Sequence, residues 1–503
     1  MADEKAIAKK SATLIVLRYL AYGFTGITGL LVAKYLGPAM FGIYSLLMIL
    51  AHYANYSHLG IIHAMLKLIP FYAGKKDFQR NQQIMDTAFL ASFYLSLVSA
   101  GLILFASFFL LDLSTTTISG LRLVAVIIIL QQILTFQQVR LQATKDFFTY
   151  GLSMAVYSAG FLIFVSLMLV FGLEGVLLSS ILAYVIALIF LFSRKKFYFG
   201  KKLDFGLAFT LAKSGFFLLT IALVTILFTS IDQMMIVYFL GKERLGHYSL
   251  AVLIGAFISF IPGVFSSVLM PYTIERYGRK QKKNDLRGLF LTSTEIISVV
   301  MPLVVGFIYI TASYVINMFF KNYIPAILAL KILLIGTFFL ALMGPSSNFL
   351  ISINRERKML QFLALSVLIA IVLNYLMIRA GFLIEGVAAA TFASYTVYSL
   401  CVFMTASRSY FPQYFKSLFY FVKLCSTMFY VFVLLLIMDL FSSYVHSETF
   451  LVFIRIVVFL LFSVPIIWLL DKKTGVVKLC TEMIFSVFAR FKKKSVMQKT
   501  DDV

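Results

Sequence analysis

The sequence predicts an all-α integral membrane protein with about 14 transmembrane helices, arranged as two parallel six-helix repeats plus two C-terminal helices. Three observations predict this class. Of the 503 residues, 61% are hydrophobic and 13% are charged, and the mean hydropathy is +0.96; soluble proteins average roughly 45–50% and 25%. The apolar residues form runs long enough to span a bilayer. Basic residues gather between alternate runs.

Each apolar run is a candidate helix, because a bilayer core requires about 20 apolar residues. Cuts at charged residues and Gly/Pro clusters give, in chain order, spans at 11–33, 42–64, 83–110, 120–139, 147–170, 175–193, 207–237, 246–270, 289–314, 324–350, 360–378, 384–406, 417–438 and 449–470. The run 418–438 does not alternate, which excludes the strands of a closed barrel. The first span contains Arg18 and lacks a small-residue cleavage site, so we expect it to be retained.

The basic residues predict the orientation of these spans. Of the 44 Lys and Arg residues, 33 fall in the N-terminus, the tail and the alternate loops on one side, and the loops on the other side hold five: Lys34, Lys242, Arg244, Lys321 and Arg379. This positive-inside bias places both termini in the cytoplasm. We expect a multi-pass protein of the inner (plasma) membrane, whose segment FKKKSVMQK at 491–499 either lies against anionic lipid headgroups or is solvated.

Other functional classes lack support in the sequence. The net charge of +23 would suggest nucleic acid in a soluble chain, but here the charges lie between spans as topology signals. Cys401, Cys425 and Cys480 have no metal-ligand spacing. No loop exceeds about 15 residues, and HExxH, GxSxG and GxGxxG motifs are absent. We therefore expect neither an enzyme nor a metal or cofactor.

Two pairs of similar segments predict an internal repeat. YLGPAMFGIYSL at 35–46 returns as FLGKERLGHYSL at 239–250 with an offset of 204, and LEGVLLSSILAY at 173–184 returns as IEGVAAATFASY at 384–395. We expect an N-terminal lobe at 1–200, a C-terminal lobe at 201–410, two additional helices at 411–470 and a basic cytoplasmic tail at 471–503. Parallel repeats of this kind build transporters that work by alternating access. The segments 35–46 and 239–250 are expected to close over the cleft from outside.

The same segments resemble a known family. AKYLGPAMFGIYSL after a basic N-terminal helix, SIDQMMIVYFLGKERLGHYSLA at the start of the second half, and VLNYLMI followed by IEGVAAAT are similar to the polysaccharide-exporter branch of the multidrug/oligosaccharidyl-lipid/polysaccharide (MOP) superfamily. Within it, they resemble the Wzx-type flippases. The resemblance covers essentially the whole chain, including the arrangement of six, six and two helices.

This resemblance implies a flippase that moves an undecaprenyl-pyrophosphate-linked oligosaccharide from the cytoplasmic to the outer leaflet for surface polysaccharide synthesis. It implies a V-shaped cavity built from the first, second, seventh and eighth spans, with the lipid tail outside. The resemblance leaves open whether a polysaccharide polymerase complex is a partner. A small-molecule or cation antiporter of the same fold, as in the multidrug and toxin extrusion (MATE) transporters, remains the alternative. A membrane enzyme and a scaffold protein are the other two functions that the sequence leaves open.

Cations inside the spans are candidates for binding a diphosphate. Arg18 lies about 10 Å into the first span, and a guanidinium can bind phosphate oxygens with two parallel hydrogen bonds. Snorkelling of Arg18 to the headgroups is the alternative. Lys213 at the start of the seventh span and Lys331 in the tenth are weaker candidates, because Lys213 could be a boundary anchor and Lys331 could snorkel outward.

Polar side chains in the second and fourth spans are candidates for lining a sugar cavity. The segment AHYANYSHLGIIH contains His52, Asn55 and Tyr56, and on a continuous helix His52, Tyr56 and His63 share a face. The fourth span has a stripe of Gln131, Thr135, Gln138 and Gln142. For the second span a cavity lining is the preferred interpretation, and hydrogen bonds between helices are the alternative. For the fourth span, buried packing against another helix explains the stripe equally well.

Two embedded carboxylates are candidates for ion coupling. Asp232 lies near the outer end of the seventh span and Glu295 early in the ninth, and a carboxylate inside a bundle can bind H⁺ or Na⁺. Asp232 could instead pair with Lys242 or Arg244. Drug and cation antiporters of this superfamily often have an acid in the first span. Arg18 stands in that span here, which favours an anionic lipid substrate.

Overall fold

The computed structural model describes residues 2–109, 114–259, 286–353, 355–411, 413–440 and 448–474. These residues form helices and no strands, and ten helical stretches are long and apolar enough to cross a membrane. The predicted all-α membrane class is therefore confirmed. The helices are α1 Ala2–Ala54, α2 Ile61–Gly74, α3 Phe78–Phe109, α4 Thr115–Ala143, α5 Phe147–Phe164, α6 Met168–Ser193, α7 Phe205–Phe239, α8 with its described part at 242–259, α9 Arg287–Phe319, α10 Ala326–Ser352, α11 Glu356–Arg379, α12 Ile384–Ser407, α13 Tyr414–Leu440 and α14 Glu448–Thr474.

Some expectations lie outside the described residues. They concern the end of the span predicted at 246–270, most of the basic loop at 275–288, the third cysteine, Cys480, and the segment 491–499.

Helix α1 contains two of the predicted spans. Its 53 residues would be about 80 Å long as one helix, against a bilayer core of about 30 Å. The helix is interrupted at Gly37, whose φ of 71° and ψ of 171° are not helical, and Pro38 follows directly. The two segments on either side of Gly37 correspond to the spans predicted at 11–33 and 42–64.

The second span ends earlier than predicted. A 3₁₀ turn at Asn55–His58 follows α1, and Leu59 and Gly60 then adopt positive φ values of 49° and 86° before α2 begins at Ile61. Two successive left-handed residues interrupt the α-helical hydrogen bonds. The prediction of one continuous helix over 42–64 is therefore wrong, and residues 55–60 are called the helix break below.

Three turns follow the C-termini of helices in basic segments of the sequence. In each, a lysine with positive φ ends one helix: Lys76, Lys145 and Lys195. Aspartates then cap the N-termini of the helices that follow such turns, as Asp146 does by accepting a hydrogen bond from the Thr149 amide at 3.3 Å. Partial burial raises the pKa of Asp146, but the Lys196 ammonium at 2.9 Å and the Thr149 donors outweigh it, so this pKa lies below its usual value.

The segment between α6 and α7 joins the two halves of the sequence and is attached to the first half. Asp86 of α3 is buried and accepts hydrogen bonds from the Tyr198 hydroxyl at 2.8 Å and the Lys201 amide at 3.0 Å. Gln137 of α4 exchanges hydrogen bonds with the Tyr198 backbone at 2.8 and 3.1 Å. Burial, and secondarily the bond to Asp86, raise the pKa of Tyr198. The connecting segment is therefore held by buried polar groups.

Contacts divide the chain into two compact units. The first comprises Met1–Val264, Met318–Gly336 and Arg357–Tyr398, and the second comprises Phe265–Asn317, Thr337–Glu356 and Ser399–Val503. The first unit contains two apolar clusters. One holds α1, α4 and α6 together. The other packs α2 and α3 with α4 and α7. All the candidate site residues except Glu295 belong to this first unit.

The two copies of the first repeat, residues 35–46 and 239–250, are called the glycine corners. In each copy the first glycine has the positive φ that a chain reversal requires: 71° at Gly37 and 88° at Gly241. The second glycines, Gly42 and Gly246, have a different role, because they lie where the two corners touch.

The contact between the glycine corners is reciprocal. A Cβ atom on Gly42 would lie 1.9 Å from the Lys242 carbonyl oxygen, and a Cβ atom on Gly246 would lie 1.8 Å from that of Pro38. The offset of 204 that relates Gly42 to Gly246 also relates Pro38 to Lys242. The same surface is thus used twice, as at a two-fold symmetric interface. Only glycine allows the two backbones to come this close.

Candidate functional site

Arg18 is a half-buried cation on α1. Its Nη2 donates a hydrogen bond to the Tyr22 hydroxyl at 3.2 Å, and its charge acts on the Tyr150 hydroxyl of α5. Its Nε is buried and makes no hydrogen bond, and none of the ion pairs among the described residues involves it. Because a half-buried cation without a carboxylate partner has donors to spare, Arg18 has the chemistry of an anion-binding residue.

The helix break gathers aromatic and polar side chains. Asn55 accepts a hydrogen bond from Thr135 of α4 at 3.5 Å. The Tyr56 ring lies 5.8 Å from the His58 ring and 6.0 Å from the His63 ring, between centroids, and the two histidine rings are 5.2 Å apart.

His52 does not join this cluster. Because α1 ends at Ala54 and the helix break follows, His52 does not share a helical face with Tyr56 and His63, and that prediction is wrong. The side chain of His52 is exposed.

The predicted glutamine stripe on α4 divides into separate contacts. Gln138 donates a hydrogen bond to Ser153 of α5 at 3.4 Å, which is the packing alternative left open by the sequence. Gln131 retains a buried carbonyl oxygen without a partner, and both amide atoms of the neighbouring Gln132 are buried without one. Unpaired buried amides are costly, so Gln131 and Gln132 are the members of this helix suited to a ligand.

The two lysine candidates differ in exposure. Lys213 is exposed near the start of α7, two residues before Gly215, whereas Lys331 is half-buried in α10. Gly215 lies against the helix break, since a Cβ atom added there would be 2.0 Å from the Gly60 carbonyl oxygen. Lys213 is thereby placed near the break.

Asp232 is 3% exposed on α7. Its Oδ2 accepts hydrogen bonds from the Tyr248 hydroxyl at 2.5 Å and from Thr391 at 3.4 Å, and its Oδ1 accepts one from the Gln233 amide at 2.8 Å. Neutral donors thus surround a carboxylate in the bundle, and none of the ion pairs among the described residues includes Asp232. Such a carboxylate can bind a proton or a small cation.

Glu295 belongs to the second compact unit. It is half-buried on α9 and accepts a hydrogen bond from the Tyr420 hydroxyl of α13 at 2.6 Å. In the part of the chain that the structure describes, no group of three or more His, Cys, Asp and Glu side chains could hold a metal ion.

Three residues of these clusters were missed by the sequence reasoning: His58, Tyr248 and Thr391. Tyr248 could have been found, because it is the repeated tyrosine of the second glycine corner and lies on the same chain half as Asp232. His58 lies in the polar segment at 51–63 and Thr391 in the repeated segment at 384–395. Their partners could not be inferred, because they follow from the helix break or are distant in sequence.

Comparisons with known proteins agree with this architecture. A family described as "Polysaccharide biosynthesis protein" matches residues 31–329. No curated protein sequence matches the chain.

Solved structures show the same fold. The lipid II flippase MurJ in its inward closed conformation has a TM-score of 0.70 at 14% identity, over 92% of this chain and 99% of that chain. A Pyrococcus furiosus MOP superfamily transporter has a TM-score of 0.58 at 16% identity, over 80% and 96%. A mutant of the Vibrio cholerae MATE transporter VcmN has a TM-score of 0.60 at 14% identity, over 81% and 99%.

Proposed function

We propose that this chain, which belongs to the polysaccharide biosynthesis protein family, is a flippase of undecaprenyl-pyrophosphate-linked oligosaccharides and has no enzymatic activity. It moves its substrate from the cytoplasmic to the outer leaflet of the plasma membrane, with both termini in the cytoplasm. The family match is the observation that carries this proposal. The MOP fold supports it, because parallel repeats in this arrangement enclose a central cleft. We also propose that the flippase exchanges substrate with a polysaccharide polymerase complex.

The proposed mechanism is alternating access between an N-terminal lobe at 1–200 and a C-terminal lobe at 201–410. The remaining parts are helices at 411–470 and a basic tail at 471–503. In the orientation that the basic loops predict, the glycine corners lie on the outer side. Their reciprocal contact supports an outer gate that is closed in this structure and separates when the cleft opens outward.

Arg18 is proposed to bind the diphosphate, because its unpartnered Nε and the absence of an ion pair among the described residues leave its charge available. The sugar is proposed to contact His52, Asn55, Tyr56 and Gln131. Lys213 and Lys331 would add positive charge along the path. Side chains such as these replace the water around a polar headgroup, which otherwise must cross about 30 Å of hydrocarbon.

Asp232 is proposed as the site that couples transport to H⁺ or Na⁺, because it is buried among neutral donors. Glu295 is a second candidate for this role. The buried carboxylate also favours the alternative function, a MATE-like antiporter of small molecules or cations.

A proteoliposome assay with a lipid-diphosphate-sugar tests the proposal. The wild type should flip this lipid, and Arg18→Ala should lower the rate about 10-fold or more, because a charge-assisted hydrogen bond contributes about 1.5–3 kcal/mol. Arg122→Ala is the matched control, since Arg122 is an exposed cation on α4 that lies over the Phe108 ring. It should stay within about twofold of the wild type.

The outcomes separate the two functions. Undiminished flipping by Arg18→Ala would remove the diphosphate role of Arg18. A wild type that exports a cationic drug and does not flip the lipid would replace the flippase with the antiporter.

A further inference from the structure

We propose that the turn between α9 and α10 is a latch that holds the outer gate closed, through a hydrogen bond from Tyr323 to the first half of the chain. Residues 319–323, at the end of α9 and in the 3₁₀ turn that follows it, are called the latch segment below. The proposal rests on the function proposed above, in which the glycine corners form the outer gate. It goes beyond that function because the latch segment lies outside both corners.

Tyr323 belongs to the second half of the chain and makes its hydrogen bond in the first half. The residue is 1% exposed, and its hydroxyl donates a hydrogen bond to the Ala33 carbonyl of α1 at 2.7 Å. Ala33 lies in the last turn of α1 before the interruption at Gly37. Carbonyl groups at the end of a helix lose their helical partners and accept donors from elsewhere. This bond joins the two halves, so it must break when the halves separate on the outer side.

The second glycine corner holds the latch segment in its own half. The ring of His247 in that corner lies 5.8 Å from the Tyr323 ring, between centroids, in an edge-to-face arrangement. The Nε2 of His247 donates a hydrogen bond to the Asn322 carbonyl at 3.0 Å, since a carbonyl oxygen can only accept. The Phe320 ring packs edge-to-face against the Tyr323 ring at 6.3 Å. These contacts stay within the second half, so they position Tyr323 whether or not it is bonded to Ala33.

Two ring contacts also join the latch segment to the first half. The Tyr323 ring lies 6.3 Å from the Phe41 ring of the first glycine corner, between centroids, in an edge-to-face arrangement. The Lys34 ammonium lies 5.6 Å from the centre of the Phe319 ring, which is a cation–π contact. Lys34 and Phe319 are exposed, whereas the bond from Tyr323 to Ala33 is buried. The buried bond is therefore the contact whose loss should affect the gate most, because an unpaired buried polar group is costly.

The latch adds a directional interaction to the contact between the glycine corners. Gly42 and Gly246 let the two backbones touch, since a Cβ atom on either would lie within 2 Å of a carbonyl oxygen of the other corner. Such a close approach depends on shape. The bond from Tyr323 to Ala33 depends instead on a single hydroxyl group. The stability of the closed gate can therefore be changed at Tyr323 without altering the glycine contact.

The test measures the distance between the outer ends of the two halves. Spin labels at Thr115→Cys in the first half and Ala380→Cys in the second, both exposed positions, report this distance in reconstituted full-length protein lacking its native cysteines. In Tyr323→Phe, the ratio of long-distance to short-distance populations should rise about 3- to 10-fold, which is the effect of one net hydrogen bond. The wild-type ratio in this variant would overturn the proposal.

Tyr238→Phe is the matched control. Both substitutions keep the ring and remove one hydroxyl group, but Tyr238 is 82% exposed on α7. Its hydroxyl group can exchange a protein partner for water at little cost, so the population ratio should equal that of the wild type. A rise in Tyr238→Phe as large as in Tyr323→Phe would contradict a specific role for the buried hydroxyl group.

A surface variant keeps the proposal testable if Tyr323→Phe alters folding. Lys34→Gln removes the cation from the Phe319 ring and should raise the same ratio about 2- to 5-fold, the range of an exposed cation–π contact. Lys321→Gln removes an exposed lysine from the latch segment itself and should keep the wild-type ratio. Equal effects of the two lysine variants would contradict the proposal, because net charge would then explain both.

A flipping assay on the same samples separates the latch from the proposed function. A raised ratio in Tyr323→Phe, in a protein that flips no lipid-diphosphate-sugar, would support the latch and contradict only the proposed function. Flipping by a wild type whose ratio is unchanged in Tyr323→Phe would support the function and overturn the latch.

Discussion

The two halves of the chain place different chemistry at equivalent positions. In the second half, Asp232 accepts hydrogen bonds from Tyr248 and Thr391. The offset of 204 relates Asp232 to Thr28 and Tyr248 to Tyr44, and the offset of 211 relates Thr391 to Ser180. At these positions the first half therefore has the tyrosine Tyr44 and the hydroxyl of Ser180, but Thr28 stands in place of the carboxylate.

The surroundings of the two tyrosines differ accordingly. Tyr44 packs against the apolar cluster of α1, α4 and α6 and lies 6.1 Å from the Phe41 ring, between centroids. Thr28 is fully buried and donates a hydrogen bond to the Phe24 carbonyl in its own helix. By contrast, the backbone contact between the glycine corners is the same in both directions. The repeat has thus kept the geometry of its corners, whereas the side chains behind them have diverged.

The largest expected effect is a loss of ion coupling in Asp232→Asn. Asn can still accept a hydrogen bond from Tyr248 but has no negative charge, so it cannot take up a proton or hold a cation. Flipping driven by an ion gradient should fall about 10- to 100-fold in proteoliposomes, which corresponds to the loss of one interaction with a charged group, about 1.5–3 kcal/mol. Thr28→Val, at the equivalent position of the first half, should stay within about twofold. Equal losses in both variants would mean that the halves do not differ in this way.

A smaller effect is expected at the glycine corners, where the halves should respond equally. Gly42→Ala and Gly246→Ala each force a methyl group against a carbonyl oxygen, which should destabilise this conformation by about 1–3 kcal/mol. Thermal unfolding in detergent measures the effect, and Gly23→Ala, with open space around its Cα, is the control.

The double variant tests whether the two glycine corners are equivalent. One separation of the corners relieves both clashes, so Gly42→Ala combined with Gly246→Ala should cost less than the sum of the two. Additive costs, or a clear difference between the single variants, would show that the corners are not equivalent.

The smallest effect distinguishes the two tyrosines. Tyr248→Phe removes one of the donors to Asp232 and leaves Thr391 and the Gln233 amide, so a loss of about 1 kcal/mol in unfolding free energy is expected. Tyr44→Phe should change it by less than about 0.5 kcal/mol. The reverse order would assign the polar site to the first half.

Sequence patterns were sufficient for features that depend on the local chain. Long apolar runs predicted the helices, because a hydrocarbon core leaves backbone groups no partner except their own helix. The repeated glycines predicted chain reversals, and Gly37 and Gly241 have the positive φ that glycine allows. Asp232 was found as a candidate because a carboxylate within an apolar run is rare.

The sequence by itself therefore determined the membrane class and the positions of most helices. The tertiary structure alone decided the helix break at 55–60, the partners of Asp232 and the contact of His58 with His63. It also decided that the second glycine of each corner serves contact rather than reversal. These features depend on which backbones approach each other, as Gly60 and Gly215 do. From the sequence alone, a glycine that permits such an approach cannot be distinguished from a glycine that reverses the chain.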